Sequence, residues 1–538
     1  MHPDGDNASL ASSLVDQRRD AGRCLVETAS GKVRGLANQG VYFFKGIPYG
    51  TDPSGSGRFQ AAKPVAWAGV LDASEYGPPA AQVTGWPGPA PHVAWSGDTR
   101  LPSENCLVLN VFTANPGDGS RLPVMVYLHG GGFMYGSGGA PGFDGSNLAR
   151  RGVVLVSVNH RLNLFGHLHL AVDEDGRYAN SGNVGLLDIV EALGWVRTNI
   201  ARFGGDPGNV TIFGQSGGGA KVGVLMAMPM AKGLFHRAIV QSASSMLRMA
   251  TPEEAERNTY YFLREVGVSR SCLDSLYEIP VGSLLAAMRR AVKAAGGIDN
   301  YRPVVDGHLL PAHPFDTAAP ACSAPVPLML GWCETEQRMR FSLVPGEFEQ
   351  TAHQACTRVA GYLGVRKADA AQLFNVYHSR RPKDTPGDIM ALIYGDHRYR
   401  RTVTHAAELR SQQNGAPTYM YLVKWKTPVL NGVLRSPHTL CIPFVFANVD
   451  IASGMTGTGV DRYRLQDEMS GAWVEFAKSG NPNHEGLPEW QPFSAAERHT
   501  MVFDRDTQLV RDPAPEERIA LECYPAYAAA ETEGGRRY

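Results

Sequence analysis

No apolar run in this sequence is long enough to cross a bilayer, and its polar first 23 residues hold no hydrophobic stretch of signal-peptide length. The expectation is a cytoplasmic chain with no membrane role; a chain whose leader had been removed would read the same. Charge of one sign is also missing: 51 Lys+Arg face 52 Asp+Glu, a net charge of −1. Nucleic acids and anionic lipid surfaces recruit proteins through a basic field, so neither is an expected partner. The eight cysteines (Cys24, Cys106, Cys272, Cys322, Cys333, Cys356, Cys441 and Cys523) include no Cys-Xaa-Xaa-Cys pair, which argues against a zinc site. Spread over this length they do not resemble a disulfide framework. His167 and His169 look like a metal pair but lack convincing partners, so no metal and no cofactor is expected. Repeats and low-complexity linkers are absent. With 60 Gly and 36 Pro the chain is no coiled coil or helical bundle.

The chain does hold an ordinary globular composition, 43% hydrophobic and 19% charged, over 538 residues. Length alone would allow about three domains. Short β-branched runs recur at residues 107–113, 123–129, 153–159, 209–214, 237–242, 327–331 and 418–425, as buried strands of a mostly parallel sheet would. Helical patterns lie between several of them. Leu186, Val190, Leu193, Val196 and Ile200 share one helix face, and Gly204-Gly205-Asp206-Pro207 stops that helix. Residues 462–478 predict another long helix. The fold class is therefore α/β, a sheet covered by helices on both faces. Residues 77–98 differ: five prolines with Trp86 and Trp95 predict a long surface loop.

The strongest local signal is Gly214-Gln215-Ser216-Gly217-Gly218, which follows a strand and precedes an apolar helix containing Val222, Leu225 and Met226. Gly-Xaa-Ser-Xaa-Gly in that context is a nucleophile elbow, a turn so sharp that small residues must flank the serine. A second glycine motif, His129-Gly130-Gly131-Gly132-Phe133, follows the strand at 123–128. Glycines free backbone N–H groups to face a ligand, so Gly131, Gly132 and Gly217 are the expected oxyanion donors.

With these pieces the chain resembles the type-B carboxylesterase family, across nearly its whole length. The resemblance also rests on Phe44-Lys45-Gly46-Ile47-Pro48-Tyr49-Gly50, Ser103-Glu104-Asn105-Cys106-Leu107, Asn159-His160-Arg161-Leu162 and Gly182-Asn183-Val184-Gly185-Leu186-Leu187-Asp188. It implies an α/β-hydrolase fold, with a tail at residues 1–24 and one domain over 25–538 whose insertions roof the site. It further implies a triad in the order Ser216, Glu336, His438. Glu336 stands five residues after the strand-ending Gly331, with Glu334 as a solvated competitor. His438 precedes Ile442-Pro443-Phe444-Val445-Phe446. The implied reaction is hydrolysis of a small-molecule ester through an acyl group on Ser216. The same machinery could act on a carbamate, amide or lactone. A non-catalytic binding protein of this fold is disfavoured, because all three triad residues are present.

The chain departs from the family at several positions. Gln215 stands where glutamate is usual, which removes a negative charge beside the nucleophile and favours neutral or anionic esters over cationic ones. Gly217 replaces alanine, with slightly more space expected. Thr439 replaces glycine after the histidine. The partner that secreted members provide for Cys106 is an alanine near position 80, which fits a reducing compartment. Position in the sequence suggests Phe133, Tyr135, Trp332, Phe341, Phe444 and Gln215 as substrate-binding residues. Arg338, Arg340, Arg398, Arg400 and Arg401 could hold an acidic substrate, although a solvated face is the favoured reading. Lys221 reads as a structural helix residue and His405 as a structural histidine.

Overall fold

The computed structural model describes residues 22–83, 90–117, 119–171, 176–296 and 301–525. Trp86 and residues 1–21 of the expected tail lie outside them. The first strand begins at Arg23, slightly before the boundary read from the sequence.

Among the described residues thirteen strands build one sheet. In chain order they are β1 (Arg23–Thr28), β2 (Gly31–Asn38), β3 (Val41–Pro48), β4 (Val70–Asp72), β5 (Val108–Thr113), β6 (Leu122–Leu128), β7 (Val154–Val158), β8 (Gly205–Gln215), β9 (Arg237–Gln241), β10 (Leu328–Cys333), β11 (Thr418–Val423), β12 (His499–Phe503) and β13 (Gln508–Arg511). Their spatial order is β1-β2-β3-β5-β7-β6-β8-β9-β10-β11-β12-β13, with β4 beside β2. From β7 to β12 every neighbour is parallel. The flanking pairs β1–β2, β2–β3, β3–β5, β5–β7 and β12–β13 are antiparallel.

Parallel strands joined by crossover helices are covered on both faces, which is why these runs are apolar throughout rather than alternating. Every residue of β5, β7, β10 and β11 is buried. Successive side chains still part to opposite faces. Val124, Val126 and Leu128 of β6 join one core with the helices Val184–Asn199 and Gly217–Ala227; Met125 and Tyr127 join the other, with the helix Asp461–Ser479. Two insertions carry smaller cores of their own. One pairs the helices Pro252–Val266 and Val281–Ala294. The other assembles Ala352–Leu363, Lys367–Arg380 and Pro386–Gly395. Among the described residues no helix is long and apolar enough to cross a membrane.

The segment expected as a surface loop at 77–98 is anchored more firmly than its composition suggests. Trp95 is buried edge-on against Phe143, with ring centroids 6.2 Å apart. Cys106 is a free thiol. In place of a disulfide, Arg100 ties the segment down: Nε donates to Asp98 Oδ1 at 2.8 Å, Nη1 to the Gly77 carbonyl at 2.7 Å and Nη2 to the Gly139 carbonyl at 3.0 Å.

Candidate active site

The parallel strands end at one edge, and the loops leaving that edge bring distant residues together. Strand β8 runs to Gln215, and Ser216 opens the helix Gly217–Ala227 with φ 58° and ψ −123°. That conformation is strained for a residue with a Cβ and persists because its surroundings over-determine it. The Ser216 N–H donates to the Gln241 carbonyl at the end of β9 (2.8 Å). At Gly214 a Cβ would lie 2.5 Å from the Gly218 backbone, so the turn admits only glycine there.

The glycine loop after β6 lies against this turn. Gly131 (φ 89°) and Gly132 (φ 62°) take left-handed conformations. Among the described residues, the N–H groups of Gly131, Gly132 and Gly217 donate to nothing within the protein. The loop comes so close that a Cβ on Gly217 would sit 2.2 Å from Gly132 O and 2.4 Å from Gly132 N. The extra space expected at Gly217 is therefore already filled by the loop itself.

Beneath the loop lies Lys221, fully buried, its Nζ donating to the His129 carbonyl at 3.0 Å. Burial drives its pKa down to about 7. Lys221 is tied to the backbone, and what it holds is the root of the glycine loop. A lone cation in the apolar stretch Gly217–Ala227 was the available signal.

Glu336 and His438 leave neighbouring strands, β10 and β11, on loops stitched together by polar bonds. Thr335 N–H donates to the Ser436 carbonyl and Ser436 N–H to Thr335 Oγ1, both at 2.9 Å. His438 N–H donates to the Glu336 carbonyl at 3.1 Å. Glu336 is 1% exposed. Its Oε1 accepts from Cys333 N–H at 2.8 Å, and its Oε2 accepts from His438 Nδ1–H at 2.5 Å. Glu334 sits off the site, 3.7 Å from Arg381 and 3.6 Å from Lys424, so it is paired rather than free in solvent. Thr439 holds φ 74°, the left-handed conformation for which glycine would be the ordinary choice.

With Nδ1–H given to Glu336, Nε2 is the ring nitrogen left as an acceptor, and the Gln215 amide lies over the imidazole. The Gln215 Nε2 amide lies 3.2 Å from His438 Nε2 and 3.3 Å from Nδ1. Ser216 and His438 share no hydrogen bond among the described residues. On its other side His438 meets the Tyr399 ring, with centroids 4.7 Å apart. Tyr399 belongs to a π-helical turn, Asp396–Arg400, and its approach was not readable from the sequence. Such turns recur at functional sites.

A cavity of about 120 Å³ opens beside the nucleophile, lined in part by Gly131, Tyr135, Gln215, Thr439, Asp98 and Arg100. Of the proposed substrate-binding residues, Gln215 and Tyr135 line it. The other four are occupied in packing. Phe133 stands edge-on to His167 at 5.4 Å. Trp332 lies buried in β10, with the Arg400 guanidinium 5.8 Å from its ring. Phe341 packs on Tyr394 at 5.9 Å and Phe444 on Trp425 at 5.2 Å. Nearness in sequence to a catalytic motif did not decide which way these rings point.

The arginine clusters also differ from a solvated face. Arg338 is buried against Asp388, and Arg400 lies 3.1 Å from Asp396 and 3.7 Å from Glu517. Arg401 reaches Glu408 at 3.7 Å. His405 Nε2 contacts the Asp316 carbonyl at 2.8 Å, and His167 Nδ1 the Gly182 carbonyl at 3.2 Å, as structural histidines do.

A strained serine at a helix N-terminus, unpaired N–H groups on the loop beside it and a buried carboxylate–imidazole pair are parts that acyl transfer could use. Known proteins agree. The profile of the Carboxylesterase family matches residues 23–521. Para-nitrobenzyl esterase of Bacillus subtilis (strain 168) is 36% identical over 511 residues, covering 92% of this chain and 98% of its own. Phenmedipham hydrolase of Pseudarthrobacter oxydans is 32% identical over 93% of this chain and 99% of its own. The crystal structure of carboxylesterase EST55 of Geobacillus stearothermophilus superposes with a TM-score of 0.80 at 35% identity, covering 92% of this chain and 99% of that one. The chain belongs to the carboxylesterase family, has the α/β-hydrolase fold and is a carboxylic ester hydrolase.

Proposed function

We propose that Ser216 is the nucleophile of a two-step ester hydrolysis, with His438 as its general base and Glu336 as the group that orients and charges-balances the imidazole. The observation that carries this reading is the 2.5 Å Glu336–His438 bond on loops that converge on the strained Ser216 turn. A free serine hydroxyl is a weak nucleophile at neutral pH and needs an adjacent base.

In the first step the Ser216 hydroxyl donates to His438 Nε2, the ring nitrogen that Glu336 leaves free. As Oγ attacks the ester carbonyl its proton passes to Nε2, and Glu336 stabilises the imidazolium. The carbonyl oxygen becomes an oxyanion and accepts from the N–H groups of Gly131, Gly132 and Gly217, each typically worth about 10²–10³ in rate. The alcohol leaves with the proton from Nε2. Water, deprotonated by the same histidine, then attacks the acyl group and frees the acid. Residues 25–538 act as one hydrolase domain in this reading. The free thiols of the eight cysteines support the expected reducing, cytoplasmic location.

The test is Ser216→Ala. The variant should keep its circular dichroism spectrum and lose at least about 10³-fold in kcat on neutral aryl esters. A fluorophosphonate should label Ser216 in the unaltered enzyme. Near-normal turnover by the variant, or an adduct at another serine, would overturn the assignment. Carbamates, amides and lactones belong in the same substrate panel.

A further inference from the structure

The glycine loop after β6 is folded back on itself. The Gly131 carbonyl accepts from the N–H groups of Met134 at 3.2 Å and Tyr135 at 3.3 Å. A Cβ on Gly131 would lie 2.2 Å from the Tyr135 carbonyl oxygen, and one on Gly136 would lie 2.6 Å from the Gly130 carbonyl oxygen. Residues 130–131 therefore rest directly on residues 135–136, backbone against backbone. Whatever fixes Gly136 also fixes the stretch that carries the Gly131 and Gly132 N–H groups.

Two side chains from outside hold the two ends of this loop. Lys221 holds the entry, through the His129 carbonyl. Gln82 holds the exit. Its Oε1 accepts from the Gly136 N–H at 2.8 Å, and its Nε2 donates to the Gly136 carbonyl at 3.0 Å, so one amide engages both backbone groups of one residue. The same Nε2 donates to the Ala80 carbonyl at 3.0 Å, which uses its second hydrogen and sets the plane of the amide. The backbone next to Gln82 is tied as well. Asn163 Nδ2 donates to the Ala81 carbonyl at 2.8 Å, while the Asn163 N–H donates to the Phe133 carbonyl at 2.7 Å. Gln82 is half-buried and lines the cavity beside Gln215. Such a brace matters because donors of this kind work only when preorganised; a displacement of about 1 Å can cost on the order of 10²-fold in rate.

We propose that Gln82 is a positioning residue of the hydrolysis. By bracing Gly136 it sets where the Gly131 and Gly132 N–H groups meet the oxyanion. The inference rests on the serine-esterase reading, with those N–H groups as donors.

The test is Gln82→Met, which keeps the length of the side chain and removes the amide. Ser216 is first labelled to completion with a fluorophosphonate, so that kcat is expressed per labelled site and a smaller folded fraction does not register. On a neutral p-nitrophenyl ester kcat per site should fall about 10–100-fold with KM within about threefold, since acylation and deacylation both pass through an oxyanion. A trifluoromethyl ketone supplies the second readout. The Ser216 hydroxyl adds to its carbonyl, the proton passes to His438, and the resulting hemiketal oxyanion occupies the position the donors face. Its Ki should rise by about the factor lost in kcat. Gln82→Glu keeps an acceptor for the Gly136 N–H and loses only the donor, so kcat per site should fall less, about three- to tenfold. It carries the measurement should Gln82→Met not fold. A kcat per labelled site within about twofold of the unaltered enzyme, or a fall in kcat with an unchanged ketone Ki, would overturn the proposal. No label on Ser216 and no ester turnover by the unaltered enzyme would instead sink the serine-esterase reading itself.

Discussion

Gly217 decides how near the glycine loop comes to the Ser216 turn. Its missing Cβ is the space that Gly132 occupies, and the contact with Gly132 is backbone on both sides, so no side chain can swing clear. Gly217→Ala must push the loop outward and move two of the three N–H donors relative to each other. Misplaced oxyanion donors act on the transition state more than on the bound substrate, so kcat should fall by about 10–100-fold with little change in KM. Steady-state kinetics on a neutral aryl ester decide this; an unchanged kcat would mean that the loop yields without consequence. At this scale the sequence was legible where chemistry demands a particular atom. The serine at a sharp turn, the carboxylate and histidine that the loops bring together, and the glycines at close approaches left a trace in spacing. The Gln215 amide over the His438 ring, the seat of Lys221 and the inward turn of Phe341 and Phe444 depend on rotamers and on cross-sheet distances, which leave none.

Among elements, the loops and helix ends are fastened by buried ion pairs in which Glu104, Arg161 and Asp188 come from the short motifs that announced the family. Arg161 binds Asp188 twice, through Nε at 2.8 Å and Nη2 at 2.6 Å, and its own N–H adds a third bond at 3.0 Å. Arg58 and Glu104 form a similar fork, at 2.6 and 2.7 Å. Arg161 follows β7, two residues before the turn at Asn163; Asp188 lies in the helix Val184–Asn199. Asp188→Asn would leave a buried guanidinium facing a neutral partner. The expected loss is about 3 kcal/mol of stability, read as a lower urea midpoint, since breaking one side of a buried pair strands the other charge. A midpoint equal to that of the unaltered protein would show that water or another acceptor takes over. The strands from β5 to β11 and the helices at 184–199 and 461–479 were readable from apolar runs and 3.6-residue spacing. The π-helical turn at Asp396–Arg400 was not, because a single widened turn does not alter hydrophobic periodicity. It is nonetheless what brings Tyr399 onto His438.

For the molecule as a whole, His129, His160, His167 and Lys221 lie fully buried beneath the site, and they bear on how stability should respond to pH. Burial, and then the charge of Lys221, push the pKa of His129 and His160 well below the ordinary histidine value; burial takes His167 to about 3. Below about 6.5 the unfolded chain protonates these histidines while the folded chain does not, so the stability they contribute is full above that pH and is lost as pH falls toward about 3, by about 1.4 kcal/mol per unit for each histidine fully engaged. Lys221 acts in the next window. Its folded pKa of about 7 lies under the unfolded value of 10.5, so the unfolded chain holds the extra proton between them and stability rises with pH across that range. Urea midpoints should therefore climb steadily from pH 5 to pH 8. A flat profile between pH 5 and 6.5 would mean that these histidines titrate alike in both states. The α/β class was legible from the rhythm of strands and helices, but the order β5-β7-β6-β8 was not, because which strand lies beside which is settled by packing between residues far apart in the chain.

The anchorage of the 77–98 segment bears on traffic through the mouth. Arg100 holds that segment with one carboxylate and two carbonyls, and both Arg100 and Asp98 line the cavity beside the nucleophile. A tie made of charge and dipole yields to substitution of one side chain, so Arg100→Ala would release Gly77, Asp98 and Gly139 together at the lip of the pocket.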